Sequence, residues 1–174
     1  MSRHYEELCR RIDAFHGTVQ EQHPGALTCH QGCSSCCEVH LSLSGFEFKR
    51  IAQAILELPV EQVRAIRNRL EAGRKNPRCL LLTDEGSCRV YRSRPVICRS
   101  HGLPIQVGEP PRRDVCPLNF KELEHIDQLQ PDVVLDVNHV NLVLATLDHM
   151  QGAEPGARVD LWDGVKGLLK ADTA

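Results

Sequence analysis

The run Cys29-His30-Gln31-Gly32-Cys33-Ser34-Ser35-Cys36-Cys37 puts four thiols into nine residues. Neither a helical nor a strand period fits it, because it offers no large apolar side chain to bury and its glycine and serines favour turns. A segment of this kind is ordered by what its sulfurs bind. Cys36 and Cys37 are adjacent. Consecutive Cα atoms are ~3.8 Å apart, below the usual separation in a disulfide, so a bridge between them would be strained. Five further cysteines, Cys9, Cys79, Cys88, Cys98 and Cys116, bring the total to nine. An odd number leaves at least one thiol outside any disulfide framework. Thiolates clustered at short loop spacings select zinc, copper(I) and iron–sulfur centres, so the expected fold is organised around a metal.

Outward from that run, the chain has 174 residues, a size that predicts one domain over 1–174. Hydrophobic residues make up 41% and charged residues 25%, which excludes wholesale disorder. The net charge is −2, which argues against nonspecific wrapping of nucleic acid. No apolar run is long enough to span a bilayer, and the N-terminal residues lack the apolar stretch of a signal peptide. A cytoplasmic location, with no membrane partner, is therefore expected. Disulfides are disfavoured in that compartment.

The elements read as mainly α with a small β-hairpin. Tyr5, Leu8, Cys9, Ile12 and Phe15 predict a helix over 3–16, ended by Gly17, with Cys9 as a small buried hydrophobe. Ser44 and Glu47 form a capping-box pattern ahead of Phe48, Ile51, Ala52, Ile55 and Leu56. Pro59 breaks that helix, and a second is expected from Val60 to Ala72. Leu80 to Leu82, a turn at Asp84-Glu85-Gly86, and Cys88 to Tyr91 suggest the hairpin. Pro95 starts a helical turn through Cys98. Six glycines and prolines make 102–118 a loop. Helices are expected at about 119–129, from Asp136 to Met150 and over about 158–170.

The remaining cysteines form a second group, Cys79, Cys88, Cys98 and Cys116. With Cys29, Cys33, Cys36 and Cys37 they make eight candidate ligands, enough for two four-thiolate sites or one larger cluster. On these residues, together with Gly86-Ser87-Cys88-Arg89-Val90-Tyr91, Arg92-Ser93-Arg94-Pro95-Val96-Ile97-Cys98-Arg99 and Cys116-Pro117, the chain resembles the CxxCxxCC or YkgJ-type cysteine-cluster family. The resemblance covers about 26–118, leaving 119–174 as a helical extension. It departs from the family pattern in the three-residue gap between Cys29 and Cys33. It implies a domain that chelates zinc or iron, and a distant link to flagellin lysine methylases. No S-adenosylmethionine fingerprint accompanies it.

Cys33-x2-Cys36 could be half of a zinc site, with Cys79 and Cys88, or Cys98 and Cys116, as the other half. Cys29, Cys33 and Cys36 also form the compact triplet that iron–sulfur clusters use, and adjacent Cys36 and Cys37 suit a polynuclear centre better than a simple zinc site. His30, His40 and His101 lie close by in sequence, in positions more often solvated than ligating. Between Arg64 and Arg99 there are ten Lys or Arg against three acids. Over 64–78 these read first as a solvated helix face. Nearer the sulfurs, Arg94 and Arg99 bracket Cys98 and, with Tyr91, are expected to support the centre from outside the ligand shell. Aromatic content is only 4%, so stacking on nucleic-acid bases is poorly provided for.

The favoured function is an iron–sulfur protein with a redox or metal-handling role, implying a protein redox partner. The alternative is a structural zinc module that mediates protein interactions. A thioredoxin-like enzyme lacks its βαβ context, and no nucleophile elbow marks a hydrolase. No residue is assigned a catalytic role.

Overall fold

A computed structural model describes residues 3–30, 32–74, 77–154 and 156–171. Lys75, one of the basic residues counted above, lies outside them. In chain order the elements are α1 (Arg3–Gln22), β1 (Ser42–Ser44), α2 (Gly45–Leu56), α3 (Val60–Ala72), α4 (Val96–Ser100), β2 (Ile105–Val107), β3 (Arg112–Asp114), β4 (Leu135–Asp136), α5 (Val137–Met150), β5 (Arg158–Asp160) and α6 (Leu161–Ala171). The protein is mainly helical with two small sheets, as the sequence predicts. Among the described residues no helix is long and apolar enough to cross a membrane. The chain divides into two compact units, Met1–His30 with Val96–Leu147, and Gln31–Pro95 with Asp148–Ala174.

The first unit is built on α1. This helix runs to Gln22, five residues beyond the stop expected at Gly17. A glycine inside a helix costs about 1 kcal/mol relative to alanine. Val19 is wholly buried two residues further on, and burying a valine returns roughly 1.5–3 kcal/mol. Burial therefore outweighs the glycine. α4 packs on α1, where Arg99 pairs with Asp13 at 2.6 Å. The strands β2 and β3 form an antiparallel hairpin, and β4 joins β2 in parallel.

Two sequence expectations fail in this unit. The hairpin lies inside 102–118, read from the sequence as loop. Its prolines sit beside or between the paired residues, where no ladder hydrogen bond is lost. Over 119–129 there is no α-helix, only turns and a 3-10 turn at Ile126–Gln128. Asn119 and Phe120 are buried and committed to other segments, and Phe120 has φ 50, outside the helical region.

In the second unit β1 and β5 pair antiparallel, and α6 packs on α2 and α3. Ser44 caps α2 by accepting a hydrogen bond from the Glu47 amide at 3.2 Å, as the capping-box pattern predicts. The core contains Leu43, Ile51, Ile55, Ile66, Leu80, Leu81, Val90, Leu161, Val165 and Leu169. Leu56, expected on the apolar face of α2, is 48% exposed; Ala54 and Leu58 pack against the core instead. The hairpin expected at 80–91 reduces to one bridge, Leu82 to Cys88.

Candidate metal centre

Among the described residues no two cysteines are disulfide-bonded. The eight candidate ligands divide between the units. Cys33, Cys36, Cys37, Cys79 and Cys88 belong to the second, and Cys29, Cys98 and Cys116 to the first.

In the second unit a 3-10 turn over Ser35–Cys37 sets Cys36 and Cys37 side by side. The Cys79 amide donates to the Cys37 carbonyl at 2.6 Å, joining one member of the second group to the Cys33–Cys37 loop. Cys79 and Cys88 flank a turn closed by Thr83. The Thr83 amide donates to the Ser87 carbonyl at 2.7 Å, and the Ser87 amide donates to Thr83 Oγ1 at 3.1 Å. The turn rests on the cysteine loop through two glycines. A Cβ on Gly86 would stand 3.0 Å from the Gly32 carbonyl oxygen, and both residues have positive φ. Any larger residue at 86 would push the Cys88 turn off the Cys33–Cys37 loop.

Three of these thiols, Cys36, Cys79 and Cys88, hold their protons tightly. A hydrogen bond with Cys37, then burial, pushes the Cys36 thiol far above the ordinary cysteine range. Burial raises the thiols of Cys79 and Cys88. Arg69 acts against it at Cys79 and Arg94 at Cys88. Half-buried thiols of this kind become thiolates when a cation replaces the proton. The donor set is soft and sulfur-only, and it fits zinc or iron. Among the described residues no three His, Cys, Asp or Glu side chains stand at ligating geometry.

The arginines around the turn are anchors, which corrects the solvated-face reading of 64–78. Arg69 donates to the Leu82 carbonyl and pairs with Asp84 at 2.7 Å. Arg78 donates to the Thr83 carbonyl at 2.8 Å. Arg67 holds the Leu169 carbonyl at 2.7 Å, and Arg74 holds Asp160 at 2.5 Å. Arg89, next to Cys88, has a solvent-shielded Nε with no acceptor among the described residues. Arg94 lies 4.1 Å over the Tyr91 ring, and Tyr91 itself is mostly exposed. Cys79 also lines a shallow open cleft with His40, Arg74, Arg78, Asp160 and Trp162.

In the first unit Cys29 and Cys98 are exposed and Cys116 is half-buried. Arg99, expected to support Cys98, pairs with Asp13. Two residues that the sequence reading passed over shape this region. A Cβ on Gly102 would lie 2.7 Å from Cys29 Sγ, and Asn119 donates to the same sulfur from 3.5 Å. The only sequence signal for Asn119 is a polar residue between Leu118 and Phe120, three after Cys116. His30, His40 and His101 are exposed, and Cys9 is buried on α1 beside Leu8 and Ile12.

Among curated proteins and solved structures there is no significant match to the chain. A family profile does match, over residues 28–117, more than half of the chain and the whole span from Cys29 to Cys116. With sulfur donors gathered on two loops and no disulfide between them, the chain belongs to the CxxCxxCC family, described as a "putative zinc- or iron-chelating domain".

Proposed function

We propose that this protein carries an iron–sulfur cluster and serves in electron transfer or iron handling. In the second unit the proposed donors are Cys33, Cys36, Cys37, Cys79 and Cys88; in the first, Cys29, Cys98 and Cys116. The observation that carries the reading is the pair of adjacent thiols, Cys36 and Cys37, hydrogen-bonded to each other beside the Cys79 backbone. A mononuclear tetrahedral zinc site has little use for neighbouring ligands, whereas a polynuclear centre can take both. A bound cluster supplies one-electron transfer.

The charges agree with it. A four-thiolate centre is anionic, and nearby cations and hydrogen bonds to sulfur stabilise it. Arg94 acts at Cys88 and Arg69 at Cys79. The deciding experiment is iron, zinc and acid-labile sulfide content, with a visible absorption spectrum, on protein purified without oxygen. Iron with matching sulfide and a brown absorption band is expected. Zinc without sulfide would overturn the cluster and leave a structural zinc module that mediates protein interactions.

A further inference from the structure

Three polar residues are buried among those described: Ser44, Glu47 and Asn119. Ser44 is accounted for by the cap of α2, where its hydroxyl accepts from the Glu47 amide. Asn119, 3% exposed, caps no helix, yet its side chain is fully used. Oδ1 accepts from the Thr28 amide and from Thr28 Oγ1, each at 2.9 Å. Nδ2 donates to the Gly102 carbonyl at 2.7 Å and to Cys29 Sγ at 3.5 Å.

The backbone extends the clasp. The Asn119 amide donates to the Cys116 carbonyl at 2.9 Å, and the Phe120 amide donates to the Ala26 carbonyl at 2.8 Å. Asn119, through its carboxamide and its backbone amide, thus ties together the segment of Cys29, the segment of Cys116 and the turn that follows α4, the helix of Cys98. Phe120 is the one non-glycine residue with positive φ among those described. Such a conformation is costly and persists only where its surroundings hold it. Gly102 closes the other side, because a Cβ there would overlap the Cys29 sulfur.

We propose that Asn119 is a positioning residue for the metal: it fixes the Cys29 sulfur between its amide and Gly102, and it donates a hydrogen bond to that sulfur when the sulfur is a metal-bound thiolate. The inference rests on Cys29 being a donor, as proposed above. An N–H to a neutral thiol is weak. To a thiolate the bond is charge-assisted and roughly twice as strong, so it favours the ligating state. Hydrogen bonds of this kind also set cluster potentials.

The test uses the full chain, labelled with nitrogen-15 and reconstituted with cadmium-113. Scalar coupling from cadmium to cysteine β-protons identifies the ligands. Coupling to an Asn119 side-chain amide proton, transmitted through N–H···S, identifies the hydrogen bond. Coupling at both Cys29 and Asn119 is expected. Coupling at Cys29 without Asn119 would overturn the proposal and leave metal binding intact, as would coupling at other cysteines with none at Cys29. No coupling at any cysteine would remove the reading of the chain as a cysteine metal site as well. In a parallel chelator competition, Asn119→Asp should weaken cadmium binding about 10–100-fold. Thr28→Val, which removes only the hydroxyl contacts to Asn119 and Leu118, should change it less than about threefold. Equal losses in the two variants would mean that the clasp is purely structural.

Discussion

Two glycines three residues apart in α6 should respond oppositely to alanine. In a helix interior Gly→Ala gains about 1 kcal/mol from backbone entropy. At Gly167 nothing lies within 4 Å of the added Cβ, so that gain should appear in full. At Gly164 the Cβ would stand 2.5 and 2.6 Å from Phe48 Cε2 and Cζ, and 2.8 Å from Val159 Cγ1. Comfortable carbon contacts are ~3.5–4.0 Å, so both neighbours must retreat by about 1 Å. Overpacking on that scale costs roughly 1–3 kcal/mol. Phe48 is half-buried and its ring can swing outward, which sets the lower end. The propensity gain is common to both variants, so the difference between them isolates the packing cost. Thermal unfolding of the metal-free, reduced protein measures it. Gly167→Ala should raise Tm by about 2–4 °C and Gly164→Ala should lower or at best preserve it. If Gly164→Ala were as stabilising as Gly167→Ala, the packing of α6 against α2 and β5 would be wrong.

Other outcomes follow from the site. Gly102→Ala forces a non-glycine residue to φ +95 and collides with Cys29 Sγ; the strain alone costs roughly 1–2 kcal/mol, so Tm should fall and Cys29 should drop out of the cadmium-coupled set. A Gly102→Ala protein with unchanged Tm and ligands would refute the cradle. Cys36→Ser and Cys98→Ser should lower the metal-to-protein ratio while Cys9→Ser leaves it unchanged, read by elemental analysis. Burial pushes the Asp160 carboxyl up, but the Arg74 hydrogen bond and the Asp163 amide hold it below the usual range. The folded-state value therefore lies below the unfolded one, ~3.9, and the stabilisation is present above that pH and lost as pH falls through the folded value. Asp160→Asn should remove ~0.5 kcal/mol for this partly exposed pair above about pH 5, a difference that closes in acid; Asp160→Ala should lose about 1 kcal/mol more with the α6 cap. Chelation should leave most helical circular dichroism in place, with hydrogen-exchange protection lost first at 32–37 and 79–88. Complete unfolding on chelation would contradict this.

The local signals that were legible are those set by neighbours in sequence. Ser44 with Glu47 marks the start of α2, Pro59 separates it from α3 over Val60–Ala72, and Asp136 marks the start of α5, where its carboxylate accepts from the His139 amide at 3.2 Å. Each follows from residues within one turn. The misread segments depend on partners far along the chain. α1 passes Gly17 because Val19 finds a buried site. The helix expected at 119–129 yields because Asn119 and Phe120 bond to residues 26–29 and 102. Arg67 and Arg69 of α3, and Arg78 beyond it, read as solvated because their acceptors, the carbonyls of Leu169, Leu82 and Thr83, carry no sequence signature. The cysteines themselves were visible as a cluster. Their division between two units was not, because spacing alone does not say which loops lie together.

That division bears on how metal and fold are coupled. A small zinc finger has almost no apolar interior, so metal binding supplies its folding free energy and chelation unfolds it. Here the second unit buries Ile51, Ile55, Ile66, Leu161 and Val165 between helices that carry no cysteine. The turn bearing Cys79 and Cys88 is fixed to that core by Leu80, Leu81 and Val90, by Arg69 and Arg78, and by the Gly32–Gly86 contact. The backbone that carries Cys79 and Cys88 is thus anchored by packing and hydrogen bonds that involve no sulfur. What a metal must still order is the side-chain torsions of the thiols and the loss of their protons, a smaller task than folding the chain. A site built on such a core would not depend on metal for its folding, in contrast to a zinc finger.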